Sequence, residues 1–472
     1  MKQKKPDILF IMMDGLRPKN LSFCGYGRKT SPNIDSLAKQ GIFFENTFSS
    51  YNSTYKSVLS IITGRHVLSQ EFSPYHTKEE MKLFFNSGGI LLQKILKKKG
   101  YKTYCFKKLY GWQNDGFDYT FKQTAQEKSK KGTSILGLKK FPPLYKSLEY
   151  LFQNFVPKEV ANLARMTRRK SDSKTITNNA IKIINEMREG DNFFMWLDYM
   201  DTHAPYRSPI KFKKFKAEKE SEKILDILAK KDYDEKLMNS FRNWFSGFTV
   251  EDIIAEYDNT IAYNDYLIGK VIDSLKQKGI FENTIIFFFS DHGESHTEHE
   301  SYFEHYGIYG VTFHVPLIIV GKGVPRGIKV KGLTQLTDIA PTLLSLLKIN
   351  HTPLLFDGKN LLPLMFGKKD KIRESVFMEE YTLGMKRRAI RNDKYMYAEC
   401  PEEKYSICSH CNTSHGDIIS LYDLEKDPEE NVNIANKNKK ILIEMKSKLD
   451  EKIKELKTIN EKRKIQIALS KL

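Results

Sequence analysis

Short runs of consecutive apolar residues alternate along the chain with segments in which apolar residues recur every three or four positions. Asp7-Ile-Leu-Phe-Ile-Met-Met13 is such a run, the pattern of a strand buried on both faces of a parallel sheet. Ile42 to Phe44, Tyr101 to Phe106, Phe193 to Leu197, Thr284 to Phe289 and Val315 to Val320 repeat it. Between them the spacing predicts helices over Ser31 to Gly41, Ser57 to Ile62, Ile90 to Lys98, Lys174 to Glu189, Glu251 to Lys278 and Thr337 to Leu347. Alternating strands and helices predict an α/β, doubly wound, mostly parallel sheet, whose ligands bind beyond the carboxyl ends of the strands. Asp14, Asp201 with His203, and Asp291 with His292 all fall just past such ends. The helix after the polar segment Ser50 to Lys56 would offer its N-terminus to an anion.

The pattern changes twice. Thr120 to Asp172 is basic, carries three prolines and has no clear period, which suits an insertion or a cap facing substrate; Arg207 to about Val250 reads as polar. Beyond Asp357 the β-like runs Arg387 to Arg391, Lys394 to Tyr397 and Ile419 to Leu424 predict a smaller C-terminal α+β domain with an antiparallel sheet. Leu442, Met445, Leu449, Ile453 and Leu456 then keep helical spacing among Lys and Glu. The division expected is 1–350 for the catalytic domain, 351–435 for the antiparallel-sheet subdomain and 436–472 for a basic amphipathic helix. That helix is expected to pack on its own domain, with a homodimer contact as the alternative.

Composition narrows the classes. The 472 residues, 40% hydrophobic and 12% aromatic, have ample material for a core and exclude global disorder. The net charge of +19 would suit an anionic partner, but Lys is used freely everywhere, so a solvated basic surface explains it and no nucleic-acid partner is expected. No apolar stretch approaches the roughly 20 residues of a membrane span. Five cysteines form no disulfide framework, and the expected location is the cytoplasm. Cys400, Cys408 and Cys411, with His410 and His415, are read as free thiols, with a structural zinc as the alternative.

The chemistry concentrates in Asp291-His292-Gly293-Glu294, where a carboxylate and an imidazole emerge together from a buried strand. Such a pair is a mixed oxygen and nitrogen ligand set for a divalent metal. One of His296, His299 and His305 is expected to reach the same site.

Eight motifs, in order, resemble the sulfatase family of the alkaline phosphatase superfamily: Asp14-Gly-Leu-Arg17, Cys24-Gly-Tyr-Gly-Arg28, Thr30 to Ala38, Thr63-Gly-Arg65, Tyr199 to Tyr206, Ser290 to Glu294, Val315 to Ile319 and Leu421 to Pro428. The resemblance implies a large α/β domain, a smaller antiparallel one, and hydrolysis or transfer at sulfate or phosphate esters through a divalent metal and a covalent intermediate. It sets Thr54 at the nucleophile position, nine residues before Thr63, where sulfatases have a Cys or Ser oxidised to formylglycine. Lys56 and Ser57 stand at the Pro-Ser positions of that segment and Val58 replaces its Arg. The metal set implied is Asp14, Thr54, Asp291 and His292, which looks like that of Thr-dependent phosphotransferases and phosphodiesterases of the superfamily. A nitrogen ligand and few carboxylates favour one Zn²⁺ or Mn²⁺, with Ca²⁺ as the alternative. His203, His305 and Lys108 match catalytic positions, whereas Lys56 and Arg17 are expected to bind substrate.

The reading that follows is a metal-dependent esterase or transferase acting on a phosphoester through Thr54, on an anionic small molecule or a glycan- or lipid-derived ester. A sulfuric ester hydrolase without formylglycine, and a non-catalytic binding protein of the same fold, are the alternatives.

Overall fold

The computed structural model describes residues 5–68, 82, 84–85, 89–106, 111–120, 173–231, 233, 235–409 and 412–469. Its first nine strands are β1 (Asp7–Met13), β2 (Ile42–Phe48), β3 (Lys102–Phe106), β4 (Tyr119–Thr120), β5 (Phe193–Tyr199), β6 (Thr284–Phe289), β7 (His314–Gly321), β8 (Ile328–Val330) and β9 (Thr334–Gln335). They form one mixed sheet in the order β4-β3-β5-β1-β6-β7-β2-β8, with β9 also on β2. β1 lies in the middle, parallel to both β5 and β6, while β7 runs antiparallel to β6 and to β2.

β1 shows why the sheet is wound on both sides. Successive side chains of a strand point to opposite faces. Leu9, Ile11 and Met13 join one buried cluster with Ile34 and Leu37 of α1 (Pro32–Gln40), Tyr257, Ile261 and Ile268 of the helix Val250–Gln277 and Ile176, Ala180 and Ile184 of the helix Ser173–Glu186. Ile8, Phe10 and Met12 join the other, with Val58, Leu59 and Ile62 of α2 (Thr54–Thr63) and with Ile339 and Leu343. At about 25 cal/mol per Å² of apolar surface removed from water, these two layers supply most of the drive to fold.

Four further strands, β10 (Val376–Thr382), β11 (Met385–Arg391), β12 (Tyr395–Glu399) and β13 (Ile419–Asp423), make an antiparallel sheet in chain order. Met378, Ala389 and Met396 pack against Phe48, Ile308 and Phe313 of the large domain. The opposite face, with Phe377, Ile390 and Tyr397, receives Met445, Leu449 and Leu456 of the helix Lys439–Leu469, so that helix covers its own sheet. Among the described residues, no helix is long and apolar enough to cross a membrane.

Three local expectations change. The stretch 207–250 is not simply polar: the helices Ile224–Leu228 and Glu235–Phe245 bury Ile224, Leu228, Phe241 and Phe245 in the first cluster. β2 runs on to Phe48 because a register shift between Phe44 and Thr47 accommodates Glu45 and Asn46. Most consequentially, α2 starts three residues earlier than the spacing predicts, so Thr54 is its first residue. The expected insertion from 121 onward lies outside the described residues, as do Lys108, His410 and Cys411.

Candidate active site

Three strand ends and one helix start converge. Asp14 follows β1, and its N–H donates to Tyr199 O at 3.0 Å, carrying the β1–β5 ladder one residue further. Thr202 Oγ1 donates to Asp14 O at 2.7 Å, which ties in the loop after β5. Gly15 then turns the chain at φ +68, where a Cβ would meet Glu294 Oε2 at 3.0 Å. Asp291 and His292 follow β6, and Gly293 must be glycine, since a Cβ there would lie 2.1 Å from Val311 O. α2 is fastened to this end by Ser57, whose Oγ donates to Asp291 O at 2.6 Å.

Thr54 Oγ1 lies 3.4 Å from Asp14 Oδ2 and 3.2 Å from His292 Nε2. His292 Nε2 is 3.5 Å from Asp14 Oδ1 and 3.7 Å from Asp291 Oδ2, and all three side chains are fully buried. The tautomer follows from a backbone contact: His292 Nδ1 is 2.8 Å from Gly293 O, a carbonyl that can only accept, so Nδ1 carries the proton. Nε2 is therefore the ring atom turned toward the two carboxylates, and its lone pair is the one a metal would use. An assembly of acceptors within 4.8 Å of one another, out of water, fits a divalent cation.

A second group surrounds this one. The His305 ring stacks on His292 at 4.2 Å between centroids, and the His203 ring lies 5.5 Å from His305. Of the three loop histidines, His305 is thus the one at the site; His299 stacks on Tyr309 and His296 packs on Tyr257. His203 Nδ1 donates to Ala204 O at 2.9 Å. Burial works against charge on His203, but the Asp14 and Glu294 carboxyls prevail and raise it to about 9. His305 goes the other way, pushed well below the usual imidazole range by burial and by His292 and His203.

Glu294, to which the sequence reading assigned no role, stands beside them. It is 1% exposed, its Oε1 accepts from Tyr206 Oη at 3.0 Å, and burial pushes its carboxyl up to about 8. A carboxylate one glycine beyond a ligand pair carries no spacing signal of its own; only the fold brings it back.

The expected substrate contacts fare differently. Arg17 is turned away: it is 5% exposed and its guanidinium bonds Glu298 and the Glu294 carbonyl, a buried pairing that fixes the loop after β6. The Lys56 ammonium, likewise buried, donates to Tyr381 O and lies 4.4 Å above the Tyr381 ring. The C-terminal sheet reaches the site directly. Asn52, two residues before Thr54, donates through Nδ2 to His305 O at 2.8 Å and to Glu380 Oε1 of β10 at 2.9 Å.

A hydroxyl on a helix N-terminus, paired strand-end carboxylates and converging imidazoles thus meet at one end of a doubly wound sheet. The chain belongs to the sulfatase family: the family model Sulfatase matches residues 6–349, and the model for the C-terminal part of N-sulphoglucosamine sulphohydrolase matches 297–458. An arylsulfatase of Clostridium perfringens is 24% identical over 459 residues, 92% of this chain and 90% of that protein. Arylsulfatase K of Bos taurus is 29% identical over 228 residues, 48% of this chain and 40% of that protein, so that match spans less than half of the relative's length. The phosphonate monoester hydrolase of Agrobacterium radiobacter shares the fold, with a TM-score of 0.65, 18% identity, and coverage of 97% of this chain and 96% of the other.

Proposed function

We propose that this sulfatase-family hydrolase acts on phosphate esters, as a hydrolase or phosphotransferase, with Thr54 as nucleophile. The observation that carries the reading is Thr54 itself, at the first position of α2 and within 3.4 Å of both Asp14 and His292. A Thr side chain cannot give the aldehyde that sulfatases use, because its β-carbon bears a methyl group. A Thr hydroxyl can form and release a phosphoryl ester.

A divalent cation held by Asp14, Asp291 and His292 would supply the field that lowers a hydroxyl pKa and offsets charge on non-bridging oxygens. Zn²⁺ or Mn²⁺ suits the imidazole ligand better than Ca²⁺. Thr54 Oγ1 gives its proton to Asp14 Oδ2, 3.4 Å away, and forms the new bond to phosphorus as the ester P–O bond breaks. The N-terminus of α2 directs its N–H groups at the transferred group. His203 holds a proton that the departing oxygen can take. Water then releases the phosphoryl group from Thr54, or an acceptor alcohol takes it. The substrate is an anionic small molecule or a glycan- or lipid-derived ester, and thiols at Cys24, Cys105, Cys400 and Cys408 suit a reducing cytoplasm.

A second reading, a sulfuric ester hydrolase, draws on the arylsulfatases among the similar proteins. Metal-depleted protein reloaded with Zn²⁺, Mn²⁺ or Ca²⁺ and assayed on p-nitrophenyl phosphate, bis-p-nitrophenyl phosphate and p-nitrophenyl sulfate separates the two. Turnover of a phosphate substrate that requires Thr54 is expected; sulfate turnover that survives Thr54→Ala defeats the phosphoryl reading.

A further inference from the structure

Asp14, Asp291 and His292 account for one cation, yet acceptors remain beside them. Glu294 is 1% exposed, and its Oε2 receives no hydrogen bond among the described residues. His305 Nδ1 is likewise buried without a hydrogen bond, 4.0 Å from that oxygen. Each is a buried polar atom whose lost solvation no hydrogen bond among the described residues returns. Both are also held in place. Tyr206 orients Glu294 through Oε1, while the His292 ring and the Asn52 bond to His305 O fix the imidazole.

We propose that Glu294 and His305 form a second divalent-cation site adjoining the first. Metal–oxygen and metal–nitrogen bonds of about 2.0–2.2 Å span a 4.0 Å gap between donors. His292, Glu294 and His305 have donors within 4.8 Å of one another. His292 Nδ1 is committed to Gly293 O and its Nε2 faces Asp14 and Asp291, so His292 serves the first ion and forms a wall of the second site. The second ion therefore has two protein ligands, one carboxylate and one imidazole, and keeps its other positions for water and an ester oxygen. That donor set selects a Zn²⁺- or Mn²⁺-like ion. Two adjacent ions can clamp the attacking and departing oxygens of a displacement; this role rests on the phosphoester reading, whereas the binding does not.

The test counts ions. Full-length protein is stripped with a chelator and titrated with Zn²⁺ and with Mn²⁺, read by calorimetry and by elemental analysis after desalting. Two equivalents are expected for the wild type and one for Glu294→Gln and for His305→Gln, each checked for folding by near-UV circular dichroism. Spin–spin coupled Mn²⁺ resonance is expected in the wild type alone. A single equivalent in the wild type at saturating metal overturns the proposal, as do two equivalents in both variants. Should one variant fail to fold, the other decides; should both fail, the wild-type count and resonance decide. Two ions bound in a protein that hydrolyses only sulfate esters would sink the phosphoryl reading and leave this site standing.

Discussion

Asp338 and Asp14 are both carboxylates with no solvent exposure, and the chain treats them in opposite ways. Asp338 is gripped by both guanidinium nitrogens of Arg373 and accepts from Lys359 N at 2.7 Å and Gln335 N at 2.8 Å. Its charge is settled within the chain, and the result joins β9 to the segment before the C-terminal sheet. Asp14 meets the Thr54 hydroxyl and the His292 imidazole, with the Asp291 carboxylate beyond them and the His203 ring nearby. The first arrangement holds the C-terminal sheet to the large one; the second is the arrangement proposed above to receive a cation and an ester.

The contrast breaks first at Thr54. Thr54→Ala removes the proposed nucleophile but neither cap nor core contact, since Ser53 is the N-cap residue of α2. Turnover should fall by about 10⁴-fold or more with the melting temperature unchanged. His203→Ala removes the proton donor proposed for the departing oxygen, and kcat should drop roughly 10²–10³-fold, with bound metal unchanged by elemental analysis. Near-wild-type turnover would place the reacting group on the wrong side of the site.

Asp338→Ala probes the other region. It leaves the Arg373 guanidinium buried without its partner, which should cost about 3–5 kcal/mol of stability in chemical denaturation. The folded fraction should keep its metal content and its kcat. A loss of metal with little loss of stability would erase the distinction between the two regions.

Partnership over long sequence distances also explains what the chain alone could and could not reveal. Asp14, Asp291 and His292 were legible because buried parallel strands end abruptly in charge, and the fold class followed from the same runs. Arg17 was misread because its partner, Glu298, lies 281 residues away. β10 was passed over because Glu379 and Glu380 interrupt its apolar run, and only the sheet shows that they face Arg388 and Arg387 of β11. Thr54 was placed by motif register, whereas its position at a helix start depends on Ser57 reaching Asp291 O, a contact no periodicity encodes.

Asp265 offers the finest test, because it lies between the two extremes. It is 1% exposed and, among the described residues, accepts from neutral donors: Asn33 N and Ile34 N at 2.9 Å each, and Asn33 Nδ2 at 2.7 Å. These bonds cap the helix Pro32–Gln40 from the side of the helix Val250–Gln277. With no cation among those donors, burial outweighs the hydrogen bonds and raises the carboxyl from 3.8 to about 6. The folded state thus binds a proton more tightly than the unfolded state. Below about pH 4 both states hold the proton; as pH rises to about 6 the unfolded chain releases it first, and stability falls across that window. Above the folded value the loss is complete and changes no further, at most about 3 kcal/mol. Asp265→Asn, which stays neutral, should flatten this part of the stability profile when wild type and variant are unfolded in urea at pH 4, 5, 6 and 7. Parallel profiles would mean that Asp265, like Asp338, has its charge settled within the fold.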